Sequence, residues 1–402
     1  MPLRNLIGRN MLFPALRVMR AQMALISDPL KLRGAAARVD ALGRAPADVR
    51  HEAVMADSVP ATWIDVKGAR RDRVLLYLHG GAFITETPKF HGALLARLCR
   101  ESRARGLMPS YRLAPEHQYP AALDDCLAAY RWLLAQGFEA GCIVVAGDSA
   151  GGNLTLALLL RLRDEGVALP AGAVALSPVT DLTFSGDSVQ RNDGVDDMFR
   201  ADLLDAMVPV YLARRDQRTD PYVSPLFGDY SGLPPLLLVV GSTELLLDDS
   251  VRVAQRWPEA SLLVWDGMPH VFPGFQFLPE AQQATQRIGR FVRARWSDDG
   301  QTRDAEAAAA ATNQDGAALA PEAALLPHRR LSGRARLYLA VAVLSGLLWL
   351  AVAALGLAPL LLLVHPLTWA AMIGLGVVWA LAVLLFLRAG FGAHSGPRKP
   401  RR

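Results

Sequence analysis

The sequence predicts an α/β fold, a mostly parallel sheet with helices on both faces, and three observations lead to that expectation. Short apolar runs of strand length recur between residues 61 and 264 and alternate with stretches of helical periodicity, the order of a parallel sheet rather than of hairpins. One of these runs, 143–146, passes through a glycine turn holding Ser149 directly into a helix. The chain's 402 residues, 52% of them hydrophobic, are ample for a large core.

The first 30 residues carry Arg4, Arg9, Arg17 and Arg20 and no acid before Asp28. Pro14 and the scattered arginines interrupt any continuous apolar core, so a cleaved secretory leader is not expected. An amphipathic helical segment is, either packed on its own domain, covering a pocket or touching a membrane surface. Alternation then predicts strands over 61–66, 74–78, 107–112, 143–146, 173–176, 236–240 and 261–264. Helices are expected over 90–105, 121–136, 153–163, 201–214, 250–257 and 280–296. From 298 to 336 the composition turns to Gly, Pro, Asn, Gln and an alanine run, which reads as a linker with a basic end.

Two stretches follow, 337–364 and 367–387, without a single Lys, Arg, Asp or Glu. About 20 apolar residues at 1.5 Å each suffice to cross the hydrocarbon core, so residues 337–388 are expected to form a transmembrane helical hairpin. Arg329, Arg330, Arg334 and Arg336 precede it, and Arg388, Arg398, Lys399, Arg401 and Arg402 follow it, the last four in a basic tail at 389–402. Positive charge at both outer ends places them, and the body before them, on the cytoplasmic side of the cytoplasmic membrane. The expected division is therefore an N-terminal helical segment at 1–45, a catalytic domain at 46–297, the linker, the hairpin and the tail.

The charge balance follows that division. Nine of the 43 lysines and arginines lie in residues 328–402, which hold no acid, leaving 34 basic against 38 acidic residues elsewhere. A mildly acidic body with a greasy basic tail excludes the interleaved basic and aromatic surface of a nucleic-acid binder. Cys99, Cys126 and Cys142 have no paired spacing, which argues against a zinc site or a disulfide framework. With no phosphate-binding loop and no His-Glu-x-x-His pair, neither a cofactor nor a metal is expected.

The chemistry centres on Gly147, Asp148, Ser149, Ala150, Gly151 and Gly152. A serine on a strained strand-to-helix turn needs neighbours without bulk so that its hydroxyl stands clear. It also needs a base, and the base a third group that holds its tautomer. On such an elbow these follow in the order serine, acid, histidine. His270, in the loop after the strand at 261–264, is the only downstream histidine within the folded domain, since His328, His365 and His394 belong to the linker or tail. The acid belongs just beyond the strand ending at 240, where Glu244 comes first and Asp248 is the alternative; either could instead cap the next helix. The glycines of His79, Gly80, Gly81, Ala82 and Phe83, also after a strand, sit where backbone N–H groups could face a developing oxyanion.

Three ordered motifs, His79 to Phe83, Tyr111 to His117 and Gly147 to Gly152, with Pro120, Ala121, Ala122, Asp124 and Asp125 extending the second, resemble the hormone-sensitive-lipase-like family of α/β-hydrolase esterases. The resemblance covers roughly residues 55–297. It implies an α/β-hydrolase fold with a helical cap from about 1–45 and 190–215, and a carboxylic-ester hydrolase with Ser149 as nucleophile and His270 as base. It implies oxyanion donors from Gly80, Gly81 and Ala150. The family usually carries aspartate in the acid motif, where this chain has Glu244 followed by Leu245, Leu246, Leu247 and Asp248.

The expected function is that of a membrane-anchored serine esterase taking short- to medium-chain acyl esters, small-molecule or lipid, through an acyl-enzyme. Acyl transfer to another alcohol by the same triad stays open. So does a non-catalytic binding protein resembling plant hormone receptors on this scaffold, against which His270 argues. Asp124, Asp125, His91 and His117 are read as structural.

Overall fold

The structure, a computed structural model, describes residues 12–21, 28–43 and 46–296. The linker, hairpin and tail expected at 298–336, 337–388 and 389–402 lie outside the described residues. Among the described residues no helix is long and apolar enough to cross a membrane.

Helix α1 covers 12–21 and α2 Pro29–Leu42, the latter started by the Asp28 carboxylate accepting from Leu30 N and by Pro29 at its first turn. Strands β1 (Val49–Ala56), β2 (Val59–Val66), β3 (Arg70–Leu78), β4 (Ala104–Pro109), β5 (Ile143–Asp148), β6 (Gly172–Leu176), β7 (Leu236–Gly241) and β8 (Ala260–Trp265) form one sheet in the order β1-β2-β4-β3-β5-β6-β7-β8. The pairs β1/β2 and β2/β4 are antiparallel and all others parallel. Helices α3 (Pro88–Ser102), α4 (Ala121–Ala135), α5 (Ala150–Asp164), α6 (Ser188–Arg191), α7 (Ala201–Tyr211), α8 (Leu247–Arg256) and α9 (Pro279–Arg295) cover it.

Period-two alternation divides the core into two layers. From β3, Val74, Leu76 and Leu78 point to the face packed by α4 and α5, through Leu123, Leu127, Leu154 and Leu158. Leu75 and Tyr77 point to the opposite face, against Leu94, Leu95 and Leu98 of α3 and Ile288, Phe291 and Val292 of α9. Strands β3 and β5 are buried over the residues nearest the elbow, which is why they read as continuous apolar runs.

The structure departs from the sequence reading at four places. The helix expected over 90–105 ends at Ser102, because Arg103 turns left-handed (φ 57°) and returns its N–H to Arg100 and Cys99 carbonyls. The following strand accordingly begins at Ala104 and stops at Pro109, leaving Tyr111 and Arg112, expected in it, to a loop. Strand β1 went unseen because it is a largely exposed edge held by its ladder to β2, so burial imposes no alternation on it. The helix expected to reach 214 stops at Tyr211.

Candidate active site

Strand β5 ends at Asp148 and α5 begins at Ala150, so Ser149 alone makes the corner, with φ 53° and ψ −119°. Such a backbone costs a non-glycine residue about 1–3 kcal/mol and persists only where its surroundings enforce it. Ser149 N–H is held by Leu176 O of β6 at 2.8 Å, and the side chain remains partly exposed. The flanking glycines serve close packing rather than φ. A Cβ on Gly151 would lie 1.9 Å from Leu78 O, and one on Gly147 2.3 Å from Gly151 O.

Asp148 turns away from solvent beneath the serine. Its Oδ1 accepts from the Tyr77 hydroxyl at 2.7 Å and from Gly80 N–H at 3.0 Å, and its Oδ2 meets His91 Nε2 at 3.3 Å. His91 is therefore structural, as read from sequence, and the pairing raises its pKa: burial pushes it down, but the Asp148 charge and hydrogen bond outweigh that. Asp125 is structural too, its carboxylate holding the Arg112 backbone and guanidinium.

The same contact corrects one assignment. Gly80 N–H is already donated to Asp148, so it is not free for an oxyanion. Among the described residues no protein acceptor meets the N–H of Gly81 or of Ala82, and Ala82 lines the cavity beside Ser149. Ala150, the first residue of α5, has an N–H with no intrahelical partner and sits at the positive end of that helix. Gly81 has φ 119°, and a Cβ there would lie 2.1 Å from Thr85 O, so only glycine fits this turn.

Beyond β7 the chain folds back so that Glu244 meets the loop after β8. His270 Nδ1 lies 2.9 Å from Glu244 Oε2, and both residues are buried. A carboxylate accepts only, so the imidazole proton sits on Nδ1 and leaves a lone pair on Nε2. That Nε2 is buried and has no hydrogen-bond partner among the described residues. The other oxygen, Glu244 Oε1, receives Gly241 N–H at 2.5 Å and the Ser177 hydroxyl at 2.8 Å. Asp248 goes elsewhere: it accepts from Ser188 N–H at 2.8 Å and pairs with Arg191 at 3.1 Å, both on α6. The loop 192–199 braces the acid, with Asn192 Nδ2 donating to Glu244 O at 2.7 Å and Asp196 Oδ2 accepting from Leu245 N–H at 2.8 Å.

Burial pushes His270 down, but the bond to Glu244 and the charges of Glu244 and Asp196 more than reverse this and raise its pKa. A general base works in its neutral form, so a raised pKa keeps it protonated to higher pH. The acid limb of kcat/KM should therefore lie above the ordinary histidine value of 6.5 and move downward in Glu244→Gln, as a pH–rate profile would show.

Ser149 opens into a cavity of about 100 Å³. Its wall is almost wholly apolar: Leu32 from α2, Phe83 from the glycine loop, Leu182, and Phe199, Met207 and Tyr211 in and before α7. Phe199 also packs edge-on against His270, with ring centroids 4.8 Å apart, so one aromatic touches both the cavity and the histidine. The N-terminal segment and α7 thus supply the roof over the serine, and Arg17 of α1 pairs with Asp197 just before α7 at 2.5 Å. Among the described residues no group of three or more His, Cys, Asp or Glu could hold a metal ion. Asp148, Ser177, Asn192, Asp196 and Phe199 were not singled out from sequence. Asp148 alone had a signal, lying inside the elbow motif.

A serine elbow at the end of a central parallel strand, with a carboxylate and histidine paired on the loops after later strands, defines an α/β-hydrolase. Residues 75–274 match the family described as the alpha/beta hydrolase fold. The chain is 41% identical over 258 residues to an acetyl-hydrolase of Streptomyces hygroscopicus, covering 63% of this chain and 84% of that protein. It is 39% identical over 229 residues to an esterase of Acinetobacter venetianus, covering 56% and 76%. A crystal structure of an esterase from the bacterial hormone-sensitive lipase family aligns with a TM-score of 0.68 at 38% identity, covering 71% of this chain and 98% of that one. The chain belongs to the hormone-sensitive-lipase-like family of α/β-hydrolases and is a carboxylic-ester hydrolase.

Proposed function

We propose that this esterase cleaves short- to medium-chain acyl esters through an acyl-enzyme on Ser149, with His270 as base and Glu244 as the acid that orients it. The observation that carries this reading is the His270 ring: Nδ1 is committed to a buried carboxylate, and Nε2 is buried with no partner among the described residues. His270 Nε2 takes the Ser149 proton as Oγ attacks the ester carbonyl, and the tetrahedral oxyanion is held by backbone N–H groups of Ala150 and the Gly81 turn. The imidazolium then protonates the leaving alcohol. Water, deprotonated by the same nitrogen, releases the acid and restores the serine.

The cavity supports the acyl-length part of the proposal. An apolar cavity of roughly 150 Å³ accommodates a benzene-sized group, so one of about 100 Å³ suits an acyl chain of a few carbons. Each further methylene that gains cover is worth about 0.8 kcal/mol, close to fourfold in kcat/KM. Met207→Ala, which lengthens the cavity under α7, should raise the octanoate-to-butyrate ratio of kcat/KM for p-nitrophenyl esters by about tenfold. An unchanged ratio would separate this cavity from acyl recognition.

The membrane part rests on the two uncharged stretches and their flanking arginines. The full chain should stay with membranes through an alkaline carbonate wash, whereas a chain ending at residue 296 should not depend on that anchor. Release of the full chain by the wash would remove the anchoring proposal.

A further inference from the structure

The split of the Glu244 carboxylate leads to a residue outside the triad. We propose that Ser177 is a positioning residue of the reaction: its hydroxyl fixes which oxygen of Glu244 faces His270 and ties the acid loop to the histidine loop. This deepens the triad reading above and rests on it.

Ser177 follows the last residue of β6, the strand between the nucleophile strand β5 and the acid strand β7. It is fully buried, and its hydroxyl makes two hydrogen bonds whose directions are fixed by chemistry. A carboxylate can only accept, so Ser177 O–H donates to Glu244 Oε1 at 2.8 Å. A backbone N–H can only donate, so Val271 N–H, one residue beyond the base, gives its proton to Ser177 Oγ at 3.1 Å. One oxygen thus bridges the residue that orients the imidazole and the backbone that carries it.

The need for such a bridge follows from the acid being glutamate. Glutamate has one more rotatable bond than aspartate, and a carboxylate held at a single oxygen could swing about it. Gly241 N–H and Ser177 O–H pin Oε1 from two sides, leaving Oε2 for His270 Nδ1. Backbone strain concentrates at the same place. Ser177 has φ 47° and Val271 φ 50°, both left-handed in residues that disfavour it, the kind of conformation kept where the surroundings over-determine a geometry.

The test is a double-mutant cycle on the full chain with p-nitrophenyl butyrate, using Ser177→Ala and Ser177→Gly in the wild-type and Glu244→Ala backgrounds. Glycine removes the same hydroxyl while suiting the φ of 47°, so it keeps the fold available if alanine is unstable. In the wild-type background each variant should lower kcat by about 10- to 100-fold, the effect of misplacing a catalytic group by about 1 Å, with KM changed less than about twofold. In the Glu244→Ala background, where there is no carboxylate left to position, the same substitutions should change kcat less than about twofold. Equal losses in both backgrounds, no loss in either, or loss of folding in both variants would overturn the role of Ser177 while leaving the triad standing. Near wild-type turnover in Glu244→Ala alone would instead overturn the acid assignment on which it rests.

Discussion

Replacing Ser149 by alanine should lower kcat for p-nitrophenyl butyrate by about 10⁶-fold, the loss seen when the nucleophile of a comparable triad is deleted. The protein should otherwise stay intact. Alanine tolerates the φ of 53° no worse than serine does, and the backbone bond from residue 149 to Leu176 O survives the change. Among the described residues the Ser149 side chain makes no capping hydrogen bond to α5 that substitution would break. Near-wild-type hydrolysis by a folded Ser149→Ala enzyme would place the chemistry on another residue.

The acid gives the second large effect, and a sharp contrast. Glu244→Ala should cost about 10⁴-fold in kcat, because His270 Nδ1 loses the carboxylate that keeps its proton and leaves Nε2 free to act as base. Asp248→Ala, four residues on, should change kcat by less than about threefold, since Asp248 is spent on Ser188 and Arg191. Its cost should appear in the anchoring of α6 instead. Comparable losses in the two variants would mean that the carboxylates share the task; a reversed order would return the acid role to Asp248.

Glutamate in place of the family's usual aspartate is accommodated by the surroundings rather than by the loop alone. Gly241 explains part of it. A Cβ at that position would lie 2.0 Å from Met268 O and 3.1 Å from Glu244 Oε1, so the chain can only fold back closely with a glycine there. The longer side chain then reaches past its own turn to His270, and loop 192–199 closes over it through Asn192 and Asp196.

Much of this site could be read from the sequence because its strongest signals are local. The parallel strands announce themselves as apolar runs since both faces are buried, as at 143–146 and 236–240. Ser149 stands in a strand-glycine-helix context, and His270 follows from chain order, with no other histidine between it and the linker. What stayed hidden are contacts that exist only once strand ends lie side by side. Nothing local tells that Gly80 N–H is taken by Asp148, whose partner Tyr77 lies on β3 and whose partner His91 lies on α3. Ser177 looks like an ordinary serine before a proline, and its link to Glu244 spans 67 residues. Phe199 belongs to a segment whose placement over His270 depends on how the cap packs. Residue identity singles out the proposed reacting groups; the donors that aim them come from tertiary structure.

The central claim is a covalent intermediate on Ser149, and the most direct measurement is to trap it. The full chain would be mixed with excess p-nitrophenyl butyrate, quenched in acid within the first turnovers, digested and mapped by mass spectrometry. A butyryl group on the peptide carrying Ser149, absent from Ser149→Ala, is the predicted result. Steady hydrolysis with that peptide unmodified, or with the butyryl group on another residue, would contradict it.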